Sequence, residues 1–240
     1  MTHLVVGYPS LDANWSMLQA MDRAGVDLVE LQLPFSEPIA DGPSFVRANH
    51  EAIRSGTGWR EYFDLAGRAA AELDLTTLFM GYYNSVVQMG AAQFCEQLAK
   101  GRMSGFIVPD LPPEEGGELY AVARSLELDP VQIMTPTNSR ARLQEIGRHA
   151  SGFVYCAART GVTGRQTDVS QGLGDFLGRC REATSVPLGV GFGIRTPDDI
   201  RALRGSAEIA IVGTAGTEVW LEQGLTGYEP YLDSLVAEAT

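Results

Sequence analysis

The chain predicts a (β/α)8 barrel, a single domain over residues 1–240, on three observations. Short apolar runs alternate with helix-period segments from end to end, and eight such units fit. The 240 residues suit one barrel of this kind, and no composition shift, Ser/Gly-rich run or charge block marks a linker. Residues of unusual chemistry fall after the apolar runs, on what would be one rim, while the starts of the runs are bland.

Leu4 to Val6 reads as the first strand, followed by Gly7-Tyr8-Pro9 and a helix from about Asn14 that puts Trp15, Leu18 and Met21 on one face and stops at Gly25. The second strand lies in VDLVELQL, from Val26, and is closed by Pro34. It is too apolar on both sides for a half-exposed strand and suits a buried parallel one. Side chains alternate, so Leu28, Glu30 and Gln32 share one face and Val29, Leu31 and Leu33 the other. The second face has no polar atom and belongs to the helix layer, which turns Glu30 and Gln32 toward the barrel centre.

The loop Phe35 to Gly42 carries Asp41. Helices near Ser44 to Ser55 and Trp59 to Leu73 lead to a third strand, Thr76 to Met80, then the loop Gly81 to Asn84 and a helix near Ala91 to Ala99 closed by Lys100-Gly101. Gly105 to Val108 reads as strand four and ends in PDLPPEE, before a helix near Glu114 to Leu126. Strand five is Val131 to Met134, and a helix near Arg140 to His149 returns to strand six, Phe153 to Ala157. The long polar loop ARTGVTGRQTDVSQG follows, and a loop of that length without apolar pattern is more often functional than incidental. Strand seven, Pro187 to Gly191, ends in GFGIR. A short helix from about Pro197 leads to strand eight, Glu208 to Val212, ending in GTA, and Tyr231, Leu232 and Leu235 give a closing helix its apolar face.

A net charge of −12 disfavours nucleic acid or an anionic membrane as partner. No stretch is long and apolar enough to span a bilayer, and MTHLVVGYPS lacks the features of a signal peptide, so a cytoplasmic protein is expected. Cys95, Cys156 and Cys180 are odd in number and widely spaced, which argues against disulfides or structural zinc; Cys156, in FVYCAA, reads as core. His3, His50 and His149 are scattered and form no metal-binding pair. The single lysine, Lys100, sits at a helix end, so Schiff-base chemistry has no suitable amine at the rim. Carbon–carbon cleavage, if this scaffold performs it, must therefore run on acids and bases.

The rim residues are Glu30, Asp41, Tyr82, Asn84, Asp110, Tyr155, Thr163, Gly164, Gly193 and Gly213. Glu30 in an apolar strand must be paired, neutralised or used. The bland alternative is a glutamate satisfied by Tyr82 or Tyr155. Asp41, on a Gly/Pro-bounded loop, is expected to stay ionised and to accept a substrate N–H or O–H, although Asp-Gly alone is a common turn pair. Asp110 in PDLP is open to either reading. GFG at Gly191 to Gly193 and Gly213-Thr214 stand where barrels hold phosphate, with the loop Gly161 to Gly164 placed to close over it.

GYPSLD, VELQLPFSEPIADGP, RAN, MGYYN, PDLP, RTGVTG, GFGI and VGTA occur in order across nearly the whole chain and resemble the successive motifs of the tryptophan synthase α subunit family, barrels that cleave indole-3-glycerol phosphate. The resemblance implies that Glu30 is the general acid/base at indole C3 and the glycerol hydroxyl, that Asp41 holds the indole N–H, and that Tyr155 lies beside them. It implies phosphate binding by Gly164, with Thr163 beside it, and by Gly193, Gly213 and Thr214, and an indole pocket lined by Tyr82 and Phe192. No cofactor or metal is required. The implied partners are the phosphate substrate and a tryptophan synthase β subunit. Gln32 stands where the family usually has glycine, Glu37 replaces the aspartate of a loop that touches the β subunit, and the chain starts almost at strand one, lacking the family's usual N-terminal helix. These departures leave open a free-standing or paralogous lyase with a different aryl or sugar phosphate, or a weakly active subunit regulating a β-type partner.

Overall fold

The computed structural model describes residues 1–158, 172–191 and 193–239. Its strands are β1 (Thr2–Val5), β2 (Leu28–Gln32), β3 (Thr76–Met80), β4 (Gly105–Ile107), β5 (Asp129–Met134), β6 (Val154–Ala157), β7 (Leu188–Gly191) and β8 (Ile209–Ala210). The helices are α1 (Leu11–Ala24), α2 (Pro43–Arg54), α3 (Trp59–Glu72), α4 (Tyr83–Met89), α5 (Ala91–Lys100), α6 (Gly117–Ser125), α7 (Arg140–His149), α8 (Leu173–Ala183), α9 (Pro197–Leu203) and α10 (Thr214–Ala239). The strands pair in parallel in chain order from β1 to β8. A bridge between Thr2 and Val212, with the Val212 N–H donating to the Met1 carbonyl at 3.0 Å, joins the last strand to the first and closes a (β/α)8 barrel.

Alternation along the strands sorts the core into an inside and an outside. Leu78, Met80, Ile107, Val131, Phe153 and Ile211 pack together within the barrel. Val29, Leu31 and Leu33 point the other way and pack with Tyr62, Leu65 and Ala66 of α3. This is the face expected for them, so Glu30 and Gln32 turn inward, 2% and 0% exposed. Strand β7 has glycine at its inward positions for a steric reason. A Cβ on Gly189 would lie 3.0 Å from the Phe153 ring, and one on Gly191 would lie 2.3 Å from the Tyr155 hydroxyl.

Several elements differ from the sequence expectation. Strand β1 begins at Thr2 rather than Leu4, because pairing with Val29 on one side and Val212 on the other recruits two residues that apolarity alone does not mark. The segment after Gly81-Tyr82 is helix α4; it is too short to show a period, and the exposed carboxylate of Asp110 accepts its first N–H, that of Tyr83, at 2.8 Å. Helix α6 starts at Gly117 after a 3₁₀ turn over Pro113–Glu115. Helix α8 was hidden by its glycines, Gly174 and Gly178, yet its Phe176, Leu177 and Cys180 are buried against the strand residues Val154, Cys156, Leu188 and Val190. The closing helix α10 starts at Thr214 and is broken at Gly224 (φ 61°, ψ −158°).

Candidate active site

Strand β2 delivers Glu30 and Gln32 to the barrel interior two residues apart, and the parallel register places His3 of β1 beside Glu30. The His3 Nδ1 lies 3.4 Å from Glu30 Oε2, and its Nε2 lies 2.8 Å from Gln32 Oε1. The imidazole stacks on Phe45 of α2, with ring centroids 4.5 Å apart. Gln32 donates from Nε2 to Asp41 Oδ2 at 2.7 Å. One line of buried groups therefore runs from Glu30, across a 3.4 Å contact, to His3 and on by hydrogen bonds through Gln32 to Asp41. Among the described residues Glu30 Oε2 has no hydrogen-bond partner, and it faces the histidine.

Asp41 is buried, 7% exposed. Burial pushes its carboxyl up from the usual value of 3.8 and the Glu30 charge adds to this, while hydrogen bonds from Gln32 and Tyr82 and the field of His3 act in the other direction. The carboxyl is thus held by protein donors, Gln32 and Asn49 among them. Asn49 is the second clamp. Fully buried on α2, it donates to Asp41 Oδ2 at 3.3 Å and to the Phe45 carbonyl at 2.8 Å, and its Oδ1 accepts the Phe35 N–H at 2.9 Å.

Tyr82 caps the same loop. Its hydroxyl accepts the Ala40 N–H at 3.0 Å and bonds Asp41, and its ring stacks on Phe35 at 5.2 Å. Burial first, then the Asp41 charge, keeps this phenol protonated well beyond its ordinary range. Tyr155 on β6 is half-buried and stands within the field of both Glu30 and Asp41; burial, with those charges, raises it well above the usual phenol value. Both tyrosines are thus donors at any working pH.

Across the barrel mouth, Gly213 and Thr214 form the turn from β8 into α10, and a Cβ on Gly213 would lie 3.4 Å from Phe45 and 3.9 Å from the His3 Cβ. The strand-eight turn therefore abuts the carboxylate line directly. Gly193, in the turn after β7, has φ 105°, a left-handed backbone that favours glycine. Gly191 leaves room for the Tyr155 hydroxyl, which a Cβ there would meet at 2.3 Å. Thr163, Gly164 and Phe192 lie outside the described residues. Asn84 is exposed and accepts from Gln88 at 2.8 Å, and Asp110 caps α4; neither joins the group.

Two residues of this site escape a reading of the sequence alone. His3 sits ahead of the recognisable strand, and only the register with Glu30 reveals it. Asn49 left a signal: Phe45, Ala48, Asn49 and Ala52 are the buried stripe of α2 at helical spacing, with one polar residue among apolar ones.

These features define a barrel enzyme with a carboxylate-lined site at the C-terminal rim. A family model described as "Tryptophan synthase alpha chain" matches residues 1–224. The chain is 46% identical over 235 residues to the tryptophan synthase alpha chain of Syntrophotalea carbinolica, covering 98% of this chain and 93% of that one. It is 43% identical, over 98% and 93% of the two chains, to that of Desulforapulum autotrophicum. In structure it is similar to tryptophan synthase from Mycobacterium tuberculosis (TM-score 0.92, 29% identity, 99% and 91% of the chains) and to the tryptophan synthase complex from Pyrococcus furiosus (TM-score 0.87, 25% identity, 98% and 96%). The chain belongs to the tryptophan synthase alpha chain family. Among the described residues no helix is long and apolar enough to cross a membrane.

Proposed function

We propose that this chain cleaves indole-3-glycerol phosphate to indole and glyceraldehyde 3-phosphate in tryptophan biosynthesis. The observation that carries the reading is the buried line Glu30–His3–Gln32–Asp41 lying against the strand-eight glycine turn. Two carboxylates within one barrel mouth divide the work. Glu30 gives a proton to indole C3, which makes the ring an electron sink. The side-chain hydroxyl then loses its proton to the same carboxylate, the carbon–carbon bond breaks, and the aldehyde leaves. Asp41 accepts the indole N–H, and Tyr155 donates beside them. Gly193, Gly213 and Thr214, with Thr163 and Gly164, hold the phosphate through backbone N–H groups, which suits an acidic protein. Tyr82 and Phe192 bound the indole.

Family membership and the exposed Ile39, 73% accessible on the loop that also carries Glu37, support a tryptophan synthase β subunit as partner, in the cytoplasm. Gln32 favours a second reading, in which its bulk selects a different aryl or sugar phosphate. Indole release from indole-3-glycerol phosphate, with and without a β subunit, tests the first; it is expected in the wild type and lost in Glu30→Gln. Turnover of another aryl or sugar phosphate in preference to this one supports the second.

A further inference from the structure

We propose that His3 is a positioning residue for the reaction: it shares one proton with Glu30 and, through Gln32, ties that carboxyl to Asp41, a role that rests on the acid–base reading above. The hydrogen-bond directions follow from the acceptors. The Asp41 Oδ2 accepts from both Gln32 and Asn49, so the Gln32 amide must turn its NH₂ to Asp41 and its Oε1 to His3. Nε2 of His3 therefore carries hydrogen. Nδ1 faces Glu30 Oε2 at 3.4 Å, and among the described residues that oxygen has no well-formed hydrogen bond. In a site walled by Phe45, two opposed lone pairs would repel without compensation. One proton must lie between them, either as an imidazolium facing a carboxylate or as a carboxylic acid facing a neutral ring.

This arrangement fits a residue that must act first as acid and then as base. The proton given to indole C3 leaves the Glu30–His3 pair, and the hydroxyl proton taken up at bond cleavage restores it. The pair begins and ends each turnover in the same state, with no proton drawn from water. The titratable groups facing the ring are Glu30 on β2 and Asp41 on the following loop; Phe45 on α2 and Gly213 after β8 carry no charge. Burial pulls the imidazole down, but the close approach of Glu30, the charge of Asp41 and the hydrogen bond to Gln32 outweigh burial, for a net rise above 6.5. The imidazole held in this way keeps its proton to higher pH than one without the two carboxylates beside it.

The first test reads the pair without turnover. In the full chain labelled with ¹⁵N-histidine, His3 is expected to show a protonated Nε2 throughout and an Nδ1 that titrates above the ordinary histidine range, with Glu30→Gln lowering that midpoint by about one unit or more. A neutral ring protonated on Nδ1, or a midpoint that Glu30→Gln leaves in place, overturns the proposal. The second follows indole release against pH for wild type, His3→Phe and His3→Asn. His3→Phe is expected to lower kcat about 10- to 100-fold, to leave KM within about threefold, and to move the alkaline limb to lower pH. Wild-type turnover with a superimposable His3→Phe profile refutes the role of His3 alone. A wild type that releases no indole refutes the functional reading instead, and the NMR titration still decides whether the proton is shared.

Discussion

Replacing Gln32 with leucine removes both polar atoms of the central link while keeping its volume. Two losses follow. Asp41 loses its shortest donor, the 2.7 Å bond from Gln32, and hydrogen bonds to charged groups contribute about 1.5–3 kcal/mol. The His3 Nε2–H loses its acceptor at 2.8 Å, and a buried unsatisfied donor costs about 1–3 kcal/mol. Asn49 and Tyr82 still hold Asp41, so the carboxylate is not left bare and the lower ends of both ranges apply. The expected destabilisation is about 2.5 kcal/mol. Urea denaturation followed by circular dichroism measures it, and with a slope of about 1–3 kcal/mol per molar the midpoint should fall by at least about 0.8 M. A Gln32→Leu protein within about 0.5 kcal/mol of wild type would show that the line of buried groups contributes nothing to folding.

Two other perturbations bear on the same site. Gly191→Ala sets a methyl 2.3 Å from the Tyr155 hydroxyl, so the ring must shift; turnover should fall about tenfold or more while far-UV circular dichroism is unchanged, and full activity would remove Tyr155 from the reaction. For Asp41→Asn the pH dependence has a fixed sign. A carboxyl raised above 3.8 in the folded state binds its proton more tightly there than in the unfolded chain, so its stabilising contribution is complete below the unfolded value and is lost as pH rises through the folded one. The stability of wild type relative to Asp41→Asn should therefore decline from about pH 4 upward, and a difference that grows with pH in urea titrations would contradict the burial argument.

The legible parts of this protein are those set by local pattern. In β2 one set of alternate residues is wholly apolar and the other is not, which is enough to send Val29, Leu31 and Leu33 outward and Glu30 and Gln32 inward. The eightfold alternation of strand and helix was legible for the same reason. What the pattern misses is decided by distant neighbours. His3 matters because β1 pairs with β2 in one particular register, which no property of the first few residues discloses. The state of Asp41 depends on Tyr82 and Asn49 folding a polar loop shut over it, from elements 41 and 8 positions away in the chain. Helix α8 was obscured by glycines that weaken its propensity but leave its buried face intact. Gly191 looked like part of a phosphate loop, and only the position of the tyrosine across the sheet shows what its missing side chain makes room for.

The seam between the first and last strands has a kinetic consequence. Thr2 meets Val212 at the far extreme of the chain, and contacts of such separation are the costliest to form in loop entropy. His3 is the next residue along that seam. A chain that has built seven-eighths of its cylinder already holds the imidazole beside Glu30, because the first strand pairs with the second. What arrives with the last edge is the Gly213 turn, which comes against Phe45 and His3 once the cylinder shuts.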